Sequence, residues 1–164
     1  MSGEAATDDV FVHLHFAMRG AYPLRLLDCL FCEMRALVVE YDYITGVGLV
    51  GGTPARRATE FAEAVRDGGL PAALDAAERI IEIPYSDLTN IRIYDGGWLG
   101  REKIVLRHTA GSSVTARVHA AIDPAAFIDA LRPVVEPHSV TVQLVSGMGL
   151  RDALPIVGRS GRRN

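Results

Sequence analysis

Cysteine is scarce in this chain: Cys29 and Cys32 are the only two. A disulfide framework is therefore excluded. Their Cys-x-x-Cys spacing suggests metal or redox chemistry, but "LRLLDCLFCE" reads as extended chain. Residues three apart in a strand point to opposite faces and lie about 10 Å apart, too far to bridge. No second Cys pair exists to complete a zinc site.

Other absences narrow the function further. No apolar run approaches the roughly 20 residues of a membrane-spanning helix. The N-terminal "MSGEAATDD" lacks the basic and then apolar pattern of a signal peptide, so the expected compartment is the cytoplasm. With a net charge of −3 and no interleaving of basic and aromatic residues, a nucleic-acid partner is not expected. Ser86, Ser112 and Ser113 fall in turns without a Gly-x-Ser-x-Gly context. The expectation is a non-catalytic protein without a cofactor.

What is present suits one globular domain: 49% apolar and 23% charged residues over 164 positions. The slightly positive mean hydropathy suggests apolar surface covered by a partner or a second copy. Residues 1–9 form an acidic tail and residues 158–164 a basic one with Arg159, Arg162 and Arg163.

Period-two alternation marks strands at 10–18, 24–32 and 35–44. In the first, strict alternation puts Val10, Val12, Leu14, Phe16 and Met18 on one face. Phe11, His13, His15 and Ala17 then take the other. Thr53-Pro54 opens a helix whose apolar positions Ala58, Phe61, Ala62 and Val65 recur at helical spacing. It should stop at Gly68-Gly69 and resume briefly from Pro71 to Arg79. Strands follow at 80–83, 90–94, 102–109 and 114–122. The last two form a hairpin around residues 110–112 that sets Arg107 opposite Thr115, Val105 opposite Arg117 and Lys103 opposite His119. Asp123-Pro124 opens a helix to about Val135 with Phe127, Ile128, Leu131, Val134 and Val135 buried. A strand at 140–145 and an apolar segment at 150–157 complete the chain.

"ITGVGLVGGTP" contains Gly46-x-Gly48-x-x-Gly51, the spacing of a dinucleotide-binding loop. Such a loop needs a helix that begins inside the motif. Gly51, Gly52 and Pro54 interrupt that turn, and hairpins rather than βαβ units surround it. The glycines read instead as an exit from the sheet into a helical insertion.

From Ile81 to Val135 the sequence resembles the second half of prokaryotic pleckstrin-homology-like domains. The matching positions are Ile83-Pro84-Tyr85, Asp87-Leu88, Ile91, Ile93, Gly97, Gly100, Phe127 and Leu131. Arg35, Leu37 and Val39 fit an earlier core strand more loosely. The resemblance implies a mostly β, α+β fold: an antiparallel barrel over residues 10–136 with a capping C-terminal helix. Here it is interrupted by a helical insertion at 53–79 and extended by residues 137–157. It also implies a binding scaffold that contacts proteins, lipids or itself. Lipid-binding relatives use a basic loop between the first two strands. "RGAYPLR" offers only Arg19 and Arg25, so specific phosphoinositide recognition is not expected.

Two candidate sites remain. Arg92, Lys103, Arg107, Arg117 and His119 should share the outer hairpin face, with Trp98 at a glycine-rich tip, and fit an anionic protein partner. Acids from the insertion could instead balance that face. On this reading the protein is an adaptor that also forms a homo-oligomer. Alternatively, His13 and His15, on one strand face, could begin the site of a metal-dependent enzyme or metal sensor. Its further ligands would be drawn from His108, His119, Cys29 or Cys32. A third reading is a peripheral membrane module using Trp98 and the arginine tail.

Overall fold

The computed structural model describes residues 9–21, 23–97 and 100–146. Residues 1–8 of the acidic tail, the basic tail, Trp98 and the 150–157 segment lie outside the described residues. The elements run β1 (Val12–Arg19), β2 (Leu24–Phe31), β3 (Arg35–Ile44), α1 (Gly46–Val50), α2 (Thr53–Asp75), β4 (Arg79–Pro84), β5 (Leu88–Tyr94), β6 (Lys103–His108), β7 (Ser113–Val118), α3 (Pro124–Val135) and β8 (Thr141–Val145). Eight strands form one sheet in the order β4-β3-β2-β1-β7-β6-β5-β8. All neighbours are antiparallel except β5 and β8. No helix among the described residues is long and apolar enough to cross a membrane.

The sheet curls around a core to which every strand contributes, including Leu14, Leu27, Val38, Ile83, Ile91, Leu106, Val118 and Val142. Helix α3 closes this core with Ile128, Leu131 and Val135. Its start is set as expected, because the Asp123 carboxylate accepts from the Ala125 and Ala126 amides at 2.9 and 3.3 Å. Past α3, β8 adds to the edge of β5, so residues 141–145 are built into the sheet.

The insertion covers the opposite face of the first three strands. Ala58, Phe61, Val65, Leu70 and Ala73 of α2 pack on Leu26, Leu30, Leu37, Val39 and Ile44. That explains why β2 and β3 are buried on both faces, where an antiparallel strand usually alternates. The helix breaks where expected: Gly69 sits at φ 65°, a conformation open to glycine, and Pro71 resumes the helix.

Three expectations are corrected. A short helix, α1, does begin inside the glycine motif, but it ends at Gly51 and its flanking strands are antiparallel. The topology is therefore not that of a dinucleotide fold. The strict alternation along β1 is broken by a bulge: Leu14 and Ala17 both enter the inner core, while Phe16 and Met18 join the outer one. The β6–β7 hairpin is also displaced by two residues. Gly111, at φ 89°, takes the closing left-handed position of a Thr109-Ala110-Gly111 loop. Lys103 therefore pairs with Arg117, Val105 with Thr115 and Arg107 with Ser113. A slip of two preserves each residue's face, so the basic side chains still point outward.

Phe61 is buried and stacks on Tyr41 with ring centroids 4.0 Å apart. Phe61→Ala should lower unfolding free energy by about 3 kcal/mol or more in urea titration. A loss below about 1 kcal/mol would show that α2 is not part of the cooperative core.

Candidate functional site

Asp28 is the one acid in the apolar run of β2, and it is completely buried. Opposite it lies the β1 bulge. Leu14 pairs with Cys29 and Ala17 with Leu27, so His15 and Phe16 together face the single residue Asp28. Phe16 is held at φ 54°, a left-handed conformation that costs an L-residue about 1–2 kcal/mol. Its neighbours compensate. The Phe16 N–H donates to Asp28 Oδ1 at 2.9 Å, and the Phe16 carbonyl accepts from the His119 and Ala120 amides at 2.8 and 3.3 Å.

The two oxygens of Asp28 have different roles. Oδ1 takes the Phe16 amide and the Tyr41 hydroxyl, the latter at 3.0 Å. Oδ2 faces only imidazoles: His13 Nε2 at 2.6 Å and His15 Nδ1 at 3.4 Å. Burial alone would raise the Asp28 pKa. The hydrogen bonds from His13 and His15, the charge of His13 and the Phe16 amide outweigh it and hold the carboxyl below its usual range. Burial, and then the Asp28 charge, push the Tyr41 phenol far up, so it stays a donor. Burial first and Asp28 second push the Cys29 thiol up to about 12.

The ligands expected to complete a metal site are therefore not the ones present. Cys29 faces the inner core and Cys32 the outer, and both are buried. His119 is separated from His15 by the Phe16 ring, whose centroid is 6.0 Å from one and 5.5 Å from the other. The residue brought to the histidines is Asp28. A lone acid in a strand buried on both sides was the available signal.

The basic residues are gathered as expected, with altered neighbours. Lys103 and Arg117 lie side by side, and Arg92 and Arg107 continue the same sheet face. Lys103 Nζ sits 4.8 Å from the centre of the Tyr94 ring. The slipped register brings Arg101 rather than Lys103 to His119: a guanidinium N–H donates to Nδ1 at 3.3 Å. Among the described residues no acid lies within ion-pair distance of Arg92, Arg101, Lys103, Arg107 or Arg117. The acids of α2 cannot balance them, because that helix packs on the first three strands. Trp98 lies outside the described residues.

At the seam where β1 meets β7, a cleft of about 270 Å³ is lined by Met18, Arg19, Leu24, Thr115, Arg117 and His119. It is smaller than the pockets of about 300–1,000 Å³ that take drug-sized molecules, and suits one side chain or small anion. The buried Glu40 lies 3.4 Å from Nη1 of Arg19, which lines the cleft, and 3.7 Å from Arg25 Nη1. Neither contact has hydrogen-bond geometry, so Glu40 holds two arginines by charge alone.

Burial lowers the His119 pKa, and the charges of Arg101 and Arg117 lower it further. The Phe16 ring packs against it. Between the ordinary value of 6.5 and the lower folded value, the unfolded chain binds more protons, so stability falls as pH drops through that window. In an NMR titration His119 should titrate below 6.5 and move upward in Arg117→Gln. A value at or above 6.5 would contradict this arrangement of charges.

Comparison with known proteins places the fold. No family model matches the sequence, and no curated protein matches it. Among solved structures the chain is similar to the hSac2 domain from the human phosphoinositide phosphatase Sac2. The TM-score is 0.50 at 9% identity, over 90% of this chain and 81% of that one. The fold is thus pleckstrin-homology-like: a mostly antiparallel eight-stranded sheet with a capping C-terminal helix and a long helical insertion.

Proposed function

We propose that this chain is a non-catalytic adaptor that captures an acidic segment of a protein partner on the outer face of β5, β6 and β7. The observation that carries the reading is the unopposed positive charge of that face in a chain whose net charge is −3. Arg107, Arg117 and Lys103 are exposed, and the cleft beside Arg117 accepts one carboxylate-bearing side chain. Arg92 is half-buried and steadies the face rather than leading the contact. Charge-assisted hydrogen bonds from arginine to carboxylate provide the specificity.

Self-association belongs to the same reading. The sheet ends on β4 and β8, where Ile80 and Leu144 are exposed. Open strand edges pair readily with like edges. Light scattering should find a dimer or larger species, and Ile80→Lys with Leu144→Lys should shift it towards monomer. A monomer in the unaltered protein would remove self-association from the reading.

The adaptor reading is tested by affinity capture from host lysate at low salt, comparing the unaltered bait with Lys103→Glu/Arg107→Glu/Arg117→Glu. The expected result is an acidic protein retained by the first, lost from the second and released by salt. Identical retention by both baits, with the variant's fold intact by circular dichroism, would end the proposal.

A further inference from the structure

The geometry points to a divalent metal site on the other half of the sheet, between β1 and β2: His13 Nε2, His15 Nδ1 and Asp28 Oδ2 as three ligands for a zinc-like cation, with water in the fourth position. Each of the three residues offers a ligand atom, and these lie within 4.8 Å of one another, the one such cluster among the described residues. A cation bound tetrahedrally at about 2.0–2.2 Å from each ligand needs them roughly 3.3–3.6 Å apart. The His15 contact is already 3.4 Å, the His13 contact, now a hydrogen bond of 2.6 Å, must open by about 1 Å or less, and the two imidazole nitrogens, at most 4.8 Å apart, must close by about 1.5 Å or less.

The carboxylate is prepared for this role. Its Oδ1 is tied by the Tyr41 hydroxyl and the Phe16 amide, which orient the group and leave Oδ2 to the imidazoles. Hydrogen bonds of this kind behind a ligand are what fix a metal site. The deep side is closed, since Asp28 is fully buried and Tyr41 stacks on Phe61. The outer side is open, with the side chains of His13 and His15 retaining 24% and 33% of their exposure. An entering ion therefore meets two accessible imidazoles before the buried charge, and water can complete its shell.

The strained bulge belongs to the same arrangement. A regular β1 would place a single residue opposite Asp28. Instead two residues occupy that space, and Phe16 adopts a left-handed backbone to direct its N–H at Oδ1. Bulges of this kind re-aim side chains beside functional sites, and strain persists where the surroundings over-determine it. Two imidazole nitrogens with one carboxylate oxygen suit zinc and its first-row neighbours better than calcium or magnesium, which prefer all-oxygen sets.

The test uses the tag-free full chain, stripped with chelator and titrated with zinc chloride by calorimetry. Cobalt(II) absorption serves as a spectroscopic reporter of a tetrahedral site. We expect one zinc per chain, abolished in His13→Gln/His15→Gln, with the fold of that variant verified by circular dichroism and urea titration. Tyr41→Phe, which keeps every ligand and the ring stack, should weaken binding about tenfold. Asp28 is left unaltered because it also holds the bulge. No saturable zinc uptake would overturn the inference. Uptake that persists in the double histidine variant would overturn it equally, by placing the metal elsewhere.

Discussion

A buried carboxylate must be surrounded by donors or it will not stay charged, and Asp28 shows how much structure that requirement can organise. Its two oxygens draw in the Phe16 amide, the Tyr41 hydroxyl and the rings of His13 and His15. Meeting the first of these contacts breaks the alternation of β1. That break sends Phe16 and Met18 to the α2 side and Ala17 to the inner core. The Phe16 carbonyl is then free to accept the amides beyond β7. Much of the join between the two halves of the sheet is therefore arranged around one acidic side chain.

The insertion makes this burial possible. Without α2, the face bearing Asp28, Tyr41, Leu37 and Val39 would lie against water, and the carboxylate could be hydrated instead of hydrogen-bonded. With α2 in place, β1–β3 become the middle layer of a three-layer arrangement. The helix also carries its own exposed ion pairs, Arg56 and Arg57 with Glu60 and Arg57 with Asp42. All three of its arginines are paired locally, and the cations of β5–β7 have no ion-pair partner among the described residues. The two candidate surfaces are thus chemically distinct: a largely buried His–His–Asp cluster on one sheet half and an exposed basic face on the other.

Much of the fold could be read directly. The order of strands and helices, the Asp123 cap, the break at Gly69 and the paired burial of Ile128 and Leu131 all follow from local patterns. Each depends on residues within a few positions of one another. The pleckstrin-homology-like likeness was legible in "IEIPYSDLTNIRIYDGGWLG" for the same reason, since those positions mark turns and core-facing strand residues. The basic face was legible because a displacement by two residues leaves every side chain on its original side. His13 and His15 were visible as a pair, but Asp28 was not, because nothing local shows which strand will lie beside them.

What the sequence by itself determined is the list of elements apart from α1, the Asp123 cap and the break at Gly69, and the facing of the β5–β7 cations. Only the tertiary structure decided the bulge, the hairpin register and the neighbours they create: Asp28 beside the histidines, and Arg101 beside His119. The physical reason is the reach of the forces involved. Helix starts and glycine breaks are settled by backbone preferences within one turn of chain. A bulge or a register instead balances local strain against hydrogen bonds to distant residues. Phe16 adopts its unfavourable backbone only because a carboxylate twelve residues away is waiting for its amide.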